Sequence, residues 1–80
     1  MARGEAYLLL DVEPGKERDI LETVRDSDCV EDAYILFGVY DMIVKVKCRQ
    51  ADEIGECIKN IKHLEGVGSV KVLEVADVVV

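Results

Sequence analysis

Apolar residues alternate with others along several short stretches of this chain and recur with helical spacing between them. Tyr7 to Val12 reads as a first strand, ended by Glu13-Pro14-Gly15, since proline cannot continue a ladder and removes a donor. Lys16 to Arg25 comes next as a helix with Ile20, Leu21 and Val24 on one face, and Asp26-Ser27-Asp28 stops it. Val30 to Phe37 is a second strand and Ile43 to Cys48 a third. Ala51 to Leu64 is a second helix, with Ile54, Cys57, Ile58 and Ile61 at i, i+3, i+4 and i+7 and Gly66 just beyond its end. Acids open both helices and Lys59, Lys62 and His63 close the second, as the helix dipole favours. Val70 to Val75 is the fourth strand.

The chain therefore reads as a strand-helix-strand unit written twice. Leu8, Leu10 and Val12 align with Val44, Val46 and Cys48, and Ala33 and Ile35 align with Val70 and Val72. A βαββαβ order with right-handed crossovers predicts an α+β, ferredoxin-like fold: an antiparallel four-stranded sheet of order 4-1-3-2 with both helices on one face. Alternation then divides the sheet. Leu8, Leu10, Val12, Ala33, Ile35, Phe37, Val44, Val46, Cys48, Val70 and Val72 are assigned to the helix side. The open side receives Tyr7, Leu9, Asp11, Tyr34, Leu36, Ile43, Lys45, Lys47, Lys71, Leu73 and Val75.

That open side is too apolar for a wet face, because an antiparallel sheet with one solvated side alternates apolar with polar. Tyr7, Leu9, Tyr34, Leu36, Ile43, Leu73 and Val75 predict a dimer interface in which a second copy packs sheet on sheet. Asp11 is expected to pair with Lys45 there. The tail from Ala76 to Val80 ends in three valines and is expected to add an edge strand or cross onto a neighbour.

Composition narrows the function classes. Eighty residues make one domain, and half of them are apolar. The formal charge is −7 and no basic stripe exists, which argues against direct nucleic-acid binding and against an anionic membrane surface. No apolar run approaches the roughly 20 residues of a membrane span, and no signal peptide shows, so a soluble cytoplasmic protein is expected. Cys29, Cys48 and Cys57 are odd in number, contain no C-x-x-C, and are expected as reduced, partly buried thiols; no metal or other cofactor is expected.

No catalytic set is visible. His63 reads as a cation at a helix end, and no nucleophile elbow or phosphate-binding loop occurs. Acylphosphatases share the fold but need an arginine in a glycine-rich first loop, where this chain offers only Gly15. The remaining candidate is Gly38-Val39-Tyr40-Asp41, between two apolar runs. By local chemistry it is a hairpin turn, with Gly38 at positive φ and Asp41 bonding the nearby backbone, or else a ligand-facing loop.

Leu9-Leu10-Asp11-Val12-Glu13-Pro14-Gly15, Val30-Glu31-Asp32-Ala33-Tyr34, Gly38-Val39-Tyr40-Asp41-Met42-Ile43-Val44-Lys45-Val46 and Ile61-Lys62-His63-Leu64-Glu65-Gly66-Val67 together resemble the ligand-binding (RAM) domain of the Lrp/AsnC transcription regulators. The resemblance covers nearly the whole chain. It implies a stand-alone form without the usual helix-turn-helix domain, a dimeric α/β-barrel-like pairing of sheets, and rings of dimers such as octamers or decamers. It further implies a small effector, typically an amino acid, held between dimers near Gly38, Val39, Tyr40 and Asp41, with full-length Lrp/AsnC regulators as partners. By that resemblance Gly38 and Val39 offer backbone groups, Tyr40 a wall or hydroxyl, and Asp41 an ammonium acceptor or a fixed loop. Val70 and Val72 stand where family members often carry threonines, so hydroxyls for a polar effector are missing. Two other readings stay open: a structural or interaction subunit with no effector, and a small dimeric α/β-barrel enzyme. ACT domains share the βαββαβ order and bind amino acids, but the turn sequence favours the RAM type.

Overall fold

The structure, a computed structural model, describes residues 2–76. The elements run β1 (Ala2–Val12), α1 (Glu17–Arg25), β2 (Val30–Ile35), β3 (Met42–Lys47), α2 (Ala51–Lys62) and β4 (Val67–Ala76). All three pairings are antiparallel and the order is β2-β3-β1-β4, which is the predicted 4-1-3-2. The central strands and the expected register are as the alternation required: Leu8 faces Val44 and Val72, and Leu10 faces Met42 and Val70.

The helix side of the sheet and the inner stripes of the helices form one core. Ala6, Leu8, Leu10, Val12, Ala33, Met42, Val44 and Val46 meet Ile20 and Val24 of α1 and Ile54, Cys57 and Ile61 of α2. Each buried aliphatic side chain contributes about 1.5–3 kcal/mol relative to exposure. α1 packs on β2, whereas α2 packs on β1, β4 and β3. No helix among the described residues is long and apolar enough to cross a membrane.

Four expectations need correction. β2 ends at Ile35, where its ladder to β3 stops at Met42, so the chain leaves the sheet at Leu36 and alternation no longer governs the residues beyond. Phe37, assigned to the helix side, is therefore fully exposed at a loop tip. Ile35 and Val72 do stand on the helix side in register, but on edge strands that the helices cover incompletely, and both remain exposed. Asp11 does not meet Lys45: Lys45 lies opposite Tyr7 and pairs with Glu31 at 2.7 Å, while Asp11 accepts a hydrogen bond from the Ser69 hydroxyl. The cysteines are not all reduced, because Cys29 and Cys57 form a disulfide, and Cys48 alone is free. The valine tail, residues 77–80, and the Val75 side chain lie outside the described residues.

β2 is an edge strand, and at Ala33 both of its backbone groups are bonded by side chains. The Arg25 guanidinium donates to the Ala33 carbonyl at 2.7 Å, and the Asp32 carboxylate accepts from the Ala33 N–H at 2.8 Å. A position whose N–H and C=O are both taken offers no pairing site to a further strand. At the other end of the sheet Gly4 has φ +74, and its carbonyl accepts from the Cys48 N–H at 2.8 Å. A Cβ there would stand 2.6 Å from the Cys48 carbonyl oxygen, so this close approach of β1 to the end of β3 requires glycine.

Candidate functional site

Three connections meet where β1 ends and β3 and β4 begin: the β1–α1 turn, the β2–β3 loop and the α2–β4 turn. The β2–β3 loop is closed by a hydrogen bond from the Leu36 N–H to the Asp41 carbonyl, 2.8 Å, and Gly38 takes φ +132 within it, as the sequence predicted. Asp41 is tied to β1 twice. Its N–H donates to the Leu10 carbonyl at 2.9 Å, and its carboxylate accepts from the Val12 N–H at 2.8 Å. The side chain thus continues the β1–β3 ladder one step past Met42, and it bonds a strand 29 residues away rather than its own turn.

On the other side of Val12, the β1–β4 ladder is irregular, although Val12 still pairs with Val67. Its register shifts between Leu10 and Val12, and Glu13 donates its N–H to the Gly66 carbonyl at 2.7 Å. The shift opens a shallow groove of about 350 Å³ lined by Asp11, Val12, Glu13, Gly66, Val67 and Gly68. Its charge is mainly acidic, with Lys16 as the nearby cation, held by Glu13 at 3.6 Å and Glu65 at 3.4 Å. Those two carboxylates, Glu65 first, raise the Lys16 pKa above its usual value.

Of the four predicted ligand residues, Asp41 is the one integrated into this end of the sheet. Gly38 and Val39 are exposed at the loop tip beside Phe37, and Tyr40 is partly buried. None of the four lines the groove. The lining residues Asp11 and Glu13, and Ser69 beside them, were not singled out from the sequence as ligand-binding residues. Gly66-Val67-Gly68-Ser69 carries the available signal, since two glycines at a strand start suit a close backbone approach. Substituting Asp41 by alanine leaves the Val12 N–H without its acceptor in a part-buried setting and is expected to cost about 1–3 kcal/mol. Urea denaturation and amide exchange at Val12 check this: exchange there should accelerate more than at Leu8.

The open sheet face carries a second cavity, of about 300 Å³, lined by Tyr7, Glu31, Asp32, Tyr34, Ile43 and Lys45. Register sets two rows across the four strands: Lys71, Leu9, Ile43, Tyr34, and Leu73, Tyr7, Lys45, Asp32. The structure therefore brings together Tyr7, Leu9, Tyr34, Ile43 and Leu73 of the predicted interface; Leu36 sits just past the strand end. Lys45 lies 5.9 Å from the Tyr7 ring centroid, and Arg25 lies 6.0 Å from that of Tyr34, both in cation–π range. Hydrogen bonding from Lys45 holds Glu31 below the usual carboxylate range, and the Tyr34 hydroxyl, helped by the Ala33 N–H, does the same for Asp32. Asp32 in turn raises the Tyr34 hydroxyl. Both carboxylates are depressed, so their contribution is complete above the unfolded-state pKa values and is lost as pH falls through the folded ones. Acid titration should therefore loosen the β2 rim before the core melts, which Tyr34 fluorescence or amide exchange at Ala33 would record. Among the described residues no group of three or more His, Cys, Asp and Glu side chains is placed to hold a metal ion.

The sequence profile of the Lrp/AsnC ligand binding domain matches residues 5–80. The chain belongs to this family. Among curated proteins it is similar to the HTH-type transcriptional regulator FL11 of Pyrococcus furiosus, with 26% identity over 62 residues. That match covers 78% of this chain and 41% of FL11, so the chain spans about two fifths of the length of that relative. Among solved structures it is similar to FFRP-DM1, at 26% identity and a TM-score of 0.86, covering 95% of this chain and 100% of the other. It also shares its fold with the transcriptional regulator NMB0573 of Neisseria meningitidis, solved as an L-Met complex. There the identity is 14%, the TM-score 0.77, and the coverage 91% of this chain and 49% of the regulator. As an Lrp/AsnC ligand-binding domain, the chain is a regulatory effector-binding module by family.

Proposed function

We propose that this chain works as an Lrp/AsnC module that binds an amino acid at the β1–β4 groove and transmits occupancy through oligomer contacts to full-length regulators in the cytoplasm. The observation that carries this reading is the Asp41 carboxylate locked onto the Val12 N–H, which ties the β2–β3 loop to the strand that floors the groove. Asp11 and Glu13 would receive the effector's ammonium, and Lys16 at the rim would meet its carboxylate, both as charge-assisted bonds. Ser69 is the hydroxyl closest in sequence to the Val70 and Val72 positions, and its bond to Asp11 would have to be shared with the ligand. The L-Met of the Neisseria regulator makes amino acids the first class to test. A second copy packed on the open face would form the dimer, and Gly38, Val39 and Phe37 at the exposed tip would join dimers into a ring of eight or ten copies.

Calorimetry and thermal shift against the twenty amino acids test the sensing step. A heat for at least one, weakened tenfold or more by Asp11→Asn, is the expected result. No heat and no shift for any of them overturns it. The reading as an interaction subunit without effector draws on one observation, that the loop tip lines neither cavity while exposing Phe37 and Val39. An assembly indifferent to every amino acid would favour it.

A further inference from the structure

The Cys29–Cys57 disulfide joins elements that the strand ladders leave apart. Cys29 stands just before β2, Cys57 lies in the middle of α2, and 28 positions separate them. α2 takes its packing from β1, β4 and β3, and α1 covers β2, so the covalent bond is a direct tie between α2 and the start of the edge strand. The two sulfurs differ in access. Cys57 is buried in the core, whereas Cys29 is half-buried at the turn with the Ser27 hydroxyl 3.4 Å from its Sγ.

Directly after Cys29 comes the least regular part of the β2–β3 ladder. The Cys29 carbonyl accepts from the Lys47 N–H at 2.9 Å, and Val30 pairs with Val46. The register then slips, leaving Glu31 as an extra residue opposite β3 before Asp32 meets Lys45. A bulge of this kind interrupts the ladder and leaves its residue unpaired. Glu31 is held instead through its side chain, at 2.7 Å from Lys45 and 4.0 Å from Lys47, and together with Asp32 it walls the open-face cavity. Glu31, the first residue of that wall, is only two positions along the chain from the accessible sulfur.

We propose that Cys29–Cys57 is a site of reversible thiol–disulfide exchange with a dithiol reductant, and that its redox state sets the order of the Val30–Asp32 segment and the shape of the open-face cavity. In the exchange a thiolate of the reductant attacks the Cys29 Sγ. The protein S–S bond breaks, a mixed disulfide forms on Cys29, and Cys57 departs as a thiolate that takes up a proton. The second thiol of the reductant then attacks its own sulfur in the mixed disulfide. Cys29 leaves as a thiolate, which the Ser27 hydroxyl is positioned to hydrogen-bond before it is protonated, and the reductant departs as its own disulfide. Two electrons pass from the dithiol to the protein. Cys48 is a poor competitor, because burial raises its thiol pKa and leaves little thiolate.

The inference stands independently of any effector and of any oligomer, and the full chain tests it directly. Alkylation under denaturing conditions and mass spectrometry should find one free thiol, Cys48, in the oxidised chain and three after dithiothreitol. Amide exchange on the two folded forms should then show protection at Val30, Glu31 and Asp32 falling at least tenfold more on reduction than at Leu8 and Leu10. Removing the reductant and adding oxidised glutathione should restore both patterns. Three free thiols in the oxidised chain, a linkage that includes Cys48, uniform changes in exchange, or failure to re-form the bond would each overturn the proposal. The Cys29→Ala, Cys57→Ala double variant should reproduce the reduced pattern and ignore dithiothreitol; a variant that still responds also overturns it. Because the reduced native chain supplies the same comparison, the test survives a variant that does not fold.

Discussion

Reduction of Cys29–Cys57 is expected to lower the stability of the folded chain by about 3.5 kcal/mol. The bond closes a loop of 28 positions, and the chain-entropy argument for a cross-link of that span gives about 12 cal/mol/K, or about 3.5 kcal/mol at room temperature. For a chain whose whole stability is of order 5–15 kcal/mol, this is a large fraction. At the entropy of unfolding usual for 80 residues it corresponds to a midpoint about 20 °C lower. Thermal denaturation of the native chain with and without dithiothreitol measures it without introducing a serine hydroxyl at Cys57, which is buried and would add its own cost. Midpoints agreeing within a few degrees would show that the reduced unfolded chain is already restrained, or that the bond does not form.

The alternating Leu8, Leu10, Val12 and Val44, Val46 positions made the central pair of strands, the sheet order and most of the core legible, since a period of two has only one solution when one face is covered. The same rule failed at Phe37, because periodicity says nothing about where a ladder stops. That point is set by Asp41 reaching across to Leu10 and Val12, the latter 29 positions away, contacts that no local pattern encodes. The cysteine pairing was hidden for a related reason. Cys29 and Cys57 become neighbours only because α2 crosses back over the sheet toward the start of β2. The turn at Gly38 was read correctly in its backbone, yet the groove beside it arises from a register slip between β1 and β4, to which Gly66 and Gly68 were a faint pointer.

Placing a charge at Ile43 is expected to weaken self-association by roughly two to three orders of magnitude while leaving the monomer folded. Ile43 is on the open face, directly across from Leu9 on β1 and Tyr34 on β2, and neither neighbour carries a counter-charge. The nearest charged groups on this face are already engaged, Lys45 with Glu31 and Asp32 with Arg25 and the Tyr34 hydroxyl. In the isolated chain Ile43 is only partly buried, so the ammonium of Ile43→Lys can reach water there and the core beneath is untouched. Beneath a second sheet it could not, and a buried unpaired charge costs about 3–5 kcal/mol, which is roughly a hundredfold to several-thousandfold in a dissociation constant. Phe37→Ser is the companion variant. It removes an equally apolar side chain from the exposed loop tip rather than from the sheet face, so it should leave the dimer intact and disturb only the assembly of dimers. Sedimentation velocity on the native chain and both variants separates these contributions. A native chain that is monomeric at micromolar concentration, or an Ile43→Lys chain that associates as the native one does, would remove the open face as the site of pairing and leave its apolar rows without an occupant.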